Sequence, residues 1–275
     1  MNENHEAVAV QVLDASALET LSKSEIEAQV ETARRWPRKI SLVKENAMAL
    51  ACLDEQTAAS CFYSLPSRGQ GPIQGPSVRL AEIMASSWGN LRFGARVIEI
   101  GDRFIVAQGF AMDMQTNVAF TADVRRRITT KNGKRYGDDM IQTTCNAACS
   151  IAFRNALFKI IPFALVKTIY DEAKATSLGK SLSMERRRSN AIEAYGRQGA
   201  DEEMVLAAID RRRQEDITVD DLLHLKGMLT AIKDGELTIE QAMRPYGTEV
   251  EQAGRVVASS LNDELQREAA EGAGE

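Results

Sequence analysis

From Leu91 to Thr129 the apolar residues recur at every second position, and from Ile141 to Tyr170 they follow a helical pattern. This change of period constrains the fold more than any other feature, because half-buried strands need a covering element and a long apolar helix supplies one. Leu91, Phe93, Ala95 and Val97 alternate with Arg92, Gly94 and Arg96. A Gly101-Asp102 turn follows, and Phe104, Val106, Gln108, Phe110 and Met112 set up a second strand. A third strand, from about Val118 to Thr129, has Val118, Phe120, Ala122, Val124 and Ile128 on one face. Its other face carries Thr121, Asp123, Arg125, Arg127 and Thr129. Arg126 falls on the apolar side, so either the strand is bulged there or the side chain reaches past the sheet edge. Pro162 is expected to kink or break the helical segment, whose Ala147, Ile151, Leu157, Phe158, Ile161, Phe163 and Val166 offer enough apolar surface to cover one sheet face. The expected class is α+β: a three-stranded antiparallel sheet packed by a long helix, with helices before it and a small helical module after it.

Before the strands, a helix is expected from Ser22, capped by Ser22 or Ser24 and ending before Pro37. A second helical stretch runs from Ser41 to Phe62. Three glycines and three prolines in the 11 residues Pro66 to Pro76 mark a loop, with a helix over Ser77 to Ser87 beyond it. The loop matches neither GxGxxG nor the Walker A pattern, which argues against a nucleotide-binding P-loop. It reads instead as a flexible element close to a nucleic-acid backbone or a neighbouring subunit. After Ser181 the chain is helical and polar, with capping signals at Thr218 and Thr238. The resulting division is a disordered 1–20, a core over 21–178, a helical module over 179–258 and an acidic tail over 259–275.

The net charge of −5 hides an asymmetry: residues 31–170 hold 19 Lys/Arg against 11 Asp/Glu, a net of +8, and the rest carries −13. A local basic face of this kind supplies the phosphate contacts that dominate nucleic-acid affinity. Arg125, Arg127, Lys131, Lys134 and Arg135 form the principal cluster, with an edge strand guarded by cations as the structural alternative. Tyr136 is the only aromatic within it, so base stacking is expected to be sparse. Arg154, Asn155 and Lys159 either complete a basic groove between helix and sheet or form a solvated stripe. Trp36, among Arg34, Arg35, Arg38 and Lys39, either grips phosphates and stacks on a base or packs inward at a helix end. Arg186-Arg187-Arg188 and Arg211-Arg212-Arg213 read as solvated surface. Cys52, Cys61, Cys145 and Cys149 read as buried reduced thiols, and no apolar run approaches the ~20 residues of a membrane span. No GxSxG, HExxH or Cys/His pairing appears. Two further readings stay open: a metal-dependent nuclease using Asp113 and Asp123 with Lys131, and a phage assembly or scaffold protein.

The order helix, Gly/Pro loop, helix, three strands, long helix resembles the bacteriophage single-strand annealing recombinases of the RecT, Redβ and Erf type. The likeness rests on Gly75-Pro76-Ser77-Val78-Arg79-Leu80-Ala81-Glu82, on the strand ending Arg125-Arg126-Arg127, and on Cys145-Asn146-Ala147-Ala148 through Arg154-Asn155-Ala156. Asp216-Ile217-Thr218 through Lys233-Asp234-Gly235-Glu236 also resembles the helical end of such phage proteins, and the likeness spans roughly residues 25–245. The resemblance implies a cytoplasmic protein of an infected bacterium that needs no ATP or other cofactor, with magnesium at most an influence. It would bind single-stranded DNA, form rings or filaments of identical subunits, anneal complementary strands and leave membranes alone. The implied DNA contacts are Arg125, Arg127, Lys131, Lys134, Arg135, Arg154 and Lys159, then Arg68, Arg79 and Trp36. The acidic C-terminal module would recruit a paired exonuclease or the host single-strand-binding protein, or limit self-association.

Overall fold

The computed structural model describes residues 15–66, 71–130, 132–179 and 182–244. Helix α1, Ala15–Arg35, starts earlier than the serines suggest. Ser22 and Ser24 lie inside it, carried by the Ala, Leu, Glu and Lys around them, and cap nothing. The stretch expected as one helix from Ser41 to Phe62 is three elements: α2, Ile40–Ala51; α3, Glu55–Ser60; and strand β1, Phe62–Leu65. Asp54 explains the first break, since its side chain accepts from the Thr57 N–H at 2.7 Å and restarts the helix. The Gly/Pro segment is not all loop. Its end, Ile73–Pro76, is strand β2, paired antiparallel with β1. Ser77 then caps α4, Val78–Trp88.

The sheet follows as expected, with β3, Leu91–Ile100, β4, Phe104–Asp113, and β5, Val118–Arg127, in the order β3-β4-β5 and antiparallel throughout. The one irregularity falls between Val97 and Glu99 of β3, whereas Arg126 stays in register opposite Ile105. Helix α5, Asp138–Ile160, crosses one face, and Pro162 separates it from α6, Phe163–Ser177.

Small residues make the helix–sheet contact. Ala107, Gly109 and Ala111 of β4 face α5, whose Ala148, Ala152 and Ala156 are buried one turn apart. A Cβ on Gly109 would lie 2.1 Å from the Ala152 carbonyl oxygen, so backbone meets backbone here. The larger residues expected to cover the sheet act elsewhere: Leu157, Ile161 and Val166 join α2, α3, α4 and α6 in the main core, and Phe163 is 72% exposed.

The C-terminal part comprises α7, Met184–Gly196; α8, Glu202–Ala208; α9, Val219–Lys233; and α10, Ile239–Ala242. Both expected capping boxes form, Thr218 with Asp221 and Thr238 with Gln241. These helices share an apolar cluster of their own around Tyr195, Ile217, Leu222 and Leu225. Helix α9 lies against β1, where Gly227 would bring a Cβ to 2.8 Å from Ser64 and where Ser64 Oγ and His224 Nδ1 are 2.6 Å apart. Burial pushes the His224 imidazole down to about 4, so it stays neutral at ordinary pH. Among the described residues no helix is long and apolar enough to cross a membrane.

Candidate nucleic-acid interface

Because α5 takes one face of the sheet, the residues alternating with Ala107, Gly109 and Ala111 point the other way. The outer face of β4 therefore carries Phe104, Val106, Gln108, Phe110 and Met112, all half-buried. Register fixes their neighbours. Arg127 lies opposite Phe104, Arg125 opposite Val106, Asp123 opposite Gln108 and Thr121 opposite Phe110. On the other side Arg96 pairs with Gln108 and Arg92 with Met112. The result is an apolar central strip flanked by arginines on both edge strands.

Phe104 is the focus of this face. The guanidinium carbons of Arg125, Arg127 and Arg103 lie 4.0, 5.7 and 6.0 Å from its ring centre. A polar row crosses the sheet beside it: Arg96 donates to Gln108 Oε1 at 3.3 Å, and Gln108 Nε2 donates to Asp123 at 3.2 Å. Among the described residues Arg96, Arg103, Arg125 and Arg127 form no ion pair, and all four are exposed. Hydrated, unpaired cations beside half-buried rings are the surface on which a polyanion with flat bases would settle.

The other sequence candidates divide. Lys134 is exposed in the turn beyond β5, whereas Arg135 spends its guanidinium on the Gly101 and Asp102 carbonyls, at 2.6 and 3.3 Å, and ties that turn to the β3–β4 connection. Asn155 and Lys159 are exposed and line a groove of about 850 Å³ between α5 and β5, together with Phe120, Phe158 and Phe163. Arg154 is not a free phosphate ligand. It is buried, its guanidinium stacks on Tyr63 at 4.4 Å, and it donates to Glu236 at 2.5 Å. Arg79 lies at the start of α4, away from the sheet face, bonded to Glu82 at 2.8 Å and 3.8 Å from Asp234. Arg126 reaches past the sheet edge, as one of the two sequence readings held, and donates to the Gly235 and Glu236 carbonyls at 3.2 and 3.4 Å. Three cations of the basic segment thus converge on the turn after α9. Arg68 and Lys131 lie outside the described residues.

Trp36 does not pack inward: it is 62% exposed, with the Arg35 guanidinium 5.1 Å from its ring centre. Its neighbour Arg38 is the buried one, holding Asp113 through two hydrogen bonds while stacking on Trp88 at 4.3 Å. Burial alone would raise the Asp113 carboxyl, but Arg38, the Gln115 N–H and the Trp88 indole hold it down to about 2. Asp113 is on the helix-covered face and Asp123 on the outer face, so the carboxylate pair required for the nuclease reading is not assembled. The two arginine runs are not wholly solvated either, since Arg188 donates to the Ile217 carbonyl and Arg211 pairs with Asp221, at 2.9 and 2.8 Å.

Sequence reasoning singled out Arg125 and Arg127, which lie on this outer face, and did not single out Phe104, Phe110, Arg92, Arg96 and Arg103, which share it. The available signal was the strand alternation itself, which places Phe104 and Phe110 on one face; the rings of this face come from β4, whereas Tyr136 packs against the apolar cluster beneath the sheet. No protein-family model, curated protein or solved structure matches the chain.

Proposed function

We propose that the chain binds single-stranded DNA across the outer face of β3–β5 and promotes pairing of complementary strands without nucleotide hydrolysis. The observation that carries this reading is the arginine set around Phe104, which among the described residues forms no ion pair, on the sheet face opposite α5. Arginines on both edge strands neutralise the backbone phosphates of a strand laid across the sheet. The Arg125 guanidinium carbon lies 4.0 Å from the Phe104 ring centre, and a planar cation seated on a ring is a surface on which a base stacks. Stacking and phosphate contacts leave the Watson–Crick edges free, which is what annealing requires.

The test mixes complementary labelled oligonucleotides with the protein in the absence of nucleotide and compares it with an Arg125→Ala/Arg127→Ala variant. The variant is expected to keep its fold, to anneal more slowly, and to flatten the dependence of log affinity on log salt by about 1.4, roughly 0.7 for each lost contact to a single strand. Unchanged affinity and slope would move the DNA site off this face. Equal binding of single strands and duplexes with no annealing would favour the scaffold reading, and magnesium-dependent shortening of the strands would favour a nuclease.

A further inference from the structure

Away from the sheet face, a cavity of about 660 Å³ opens between α3 and α4 on one side and α7 and α9 on the other. Leu178, Leu182 and Leu229 provide apolar surface in it. Five cations line it, Arg79, Arg187, Arg197, Lys226 and Lys233, against two acids, Glu55 and Asp234. The excess positive charge is not explained by fold-holding contacts alone. Lys226 Nζ donates to the Ser177 carbonyl at 2.5 Å, and Arg187 donates to the Gly179 carbonyl, so both cap the end of α6. Yet among the described residues Arg187 Nε is buried with no partner, and so is Asp234 Oδ2. Of the four such buried polar side-chain atoms among the described residues, two belong to residues lining this cavity. A native structure rarely leaves such atoms unsatisfied without a use for them.

The charges point the same way. Burial lowers the Lys226 pKa despite the opposing pull of Glu55, and burial raises that of Asp234 despite Arg79. The first shift reports desolvation of the Lys226 ammonium, to which the neighbouring Arg187 adds. Arg197 and Lys233 are exposed, and neither forms an ion pair among the described residues. An anion that enters meets them together with Arg187 and Lys226, while an attached apolar body meets the leucines.

We propose that this cavity binds a nucleoside phosphomonoester, either a free mononucleotide or the phosphorylated 5′ end of a strand. The phosphate takes the cations and the base lies on the leucines. The site is separate from the sheet face and does not depend on the annealing reading.

The test titrates the full chain with adenosine 5′-monophosphate, adenosine and inorganic phosphate by calorimetry. The monophosphate is expected to bind at least tenfold more tightly than either fragment. An Arg197→Ala/Lys233→Ala variant, changed only at exposed positions, is expected to weaken it at least tenfold, whereas Arg125→Ala/Arg127→Ala leaves it unchanged. A 5′-phosphorylated oligonucleotide that outcompetes its 5′-hydroxyl counterpart, with the preference lost in the Arg197/Lys233 variant, assigns the strand end. Equal affinity of the two oligonucleotides with tight monophosphate binding assigns the free nucleotide. The proposal is overturned if neither the monophosphate nor the phosphorylated strand end binds, if binding survives the double substitution, or if inorganic phosphate binds as tightly as the monophosphate.

Discussion

On the helix-covered side of the β3–β5 sheet, Arg126 and the α5 residue Arg154 are enclosed by the Gly235-Glu236 turn, while on the outer side Arg96, Arg103, Arg125 and Arg127 are exposed and have no ion-pair partner among the described residues. All six contribute to the same basic segment, yet they do different physical work. A cation taken out of water is tolerated only with a partner and good hydrogen bonds. Burial accordingly lowers the Arg126 pKa, with Glu236 opposing, and burial raises that of Glu236, with Arg154 opposing. These arginines hold the C-terminal helices against the core. The outer set keeps its hydration and can exchange water and counterions for phosphate. The net charge of a segment therefore overstates what is available for binding, and burial decides which cations count.

Breaking the enclosed set should have the largest effect. Arg154→Ala leaves Glu236 as a buried charge with only Arg126 carbonyl contacts nearby, and is expected to cost about 3–5 kcal/mol in chemical denaturation. Glu236→Gln in the same chain should recover part of that loss, because no uncompensated carboxylate remains. If Arg154→Ala is neutral in stability but weakens DNA binding, the contrast between the two arginine sets collapses. Next in size is Gly109→Ala, which forces a methyl group onto the Ala152 carbonyl and is expected to destabilise by about 1–3 kcal/mol. The same denaturation measurement checks it, and a neutral result would mean that α5 is not seated as closely on β4 as the small residues indicate.

The sheet, the break at Pro162 and the capping of α9 were legible because each depends on local chemistry: alternation, a missing N–H, a Thr facing an Asp three residues on. The β1–β2 hairpin was not, because four-residue strands carry too little alternation to stand out beside a Gly/Pro loop. The distant partners of Arg154 and Arg79 were not legible either: Glu236 lies 82 residues from Arg154, and no local pattern links Arg79 to Asp234 as i,i+3 spacing links it to Glu82. Within β4 both alternating sets are apolar, Phe104, Val106, Phe110 and Met112 on one side and Ile105, Ala107 and Ala111 on the other. Period two locates such a strand without saying which set is buried. The helix decides: its alanine stripe fits the small residues and leaves the phenylalanines outside.

That choice of face makes Phe104 the position at which the outer surface is tested most finely. Phe104→Leu keeps apolar bulk beneath Arg125 but removes the flat ring, so strand pairing and stability should change little. Affinity for single-stranded DNA is expected to fall fivefold to tenfold, about 1–1.4 kcal/mol, at the low end of what a stacked base contributes. The salt slope should stay as in the parent chain, since no phosphate contact is lost, and Phe104→Tyr should restore affinity because the ring returns. Fluorescence anisotropy at several salt concentrations separates these outcomes. A Phe104→Leu variant that loses slope as well as affinity would show that the ring acts only by positioning Arg125 and Arg127, and the face would then bind phosphates alone.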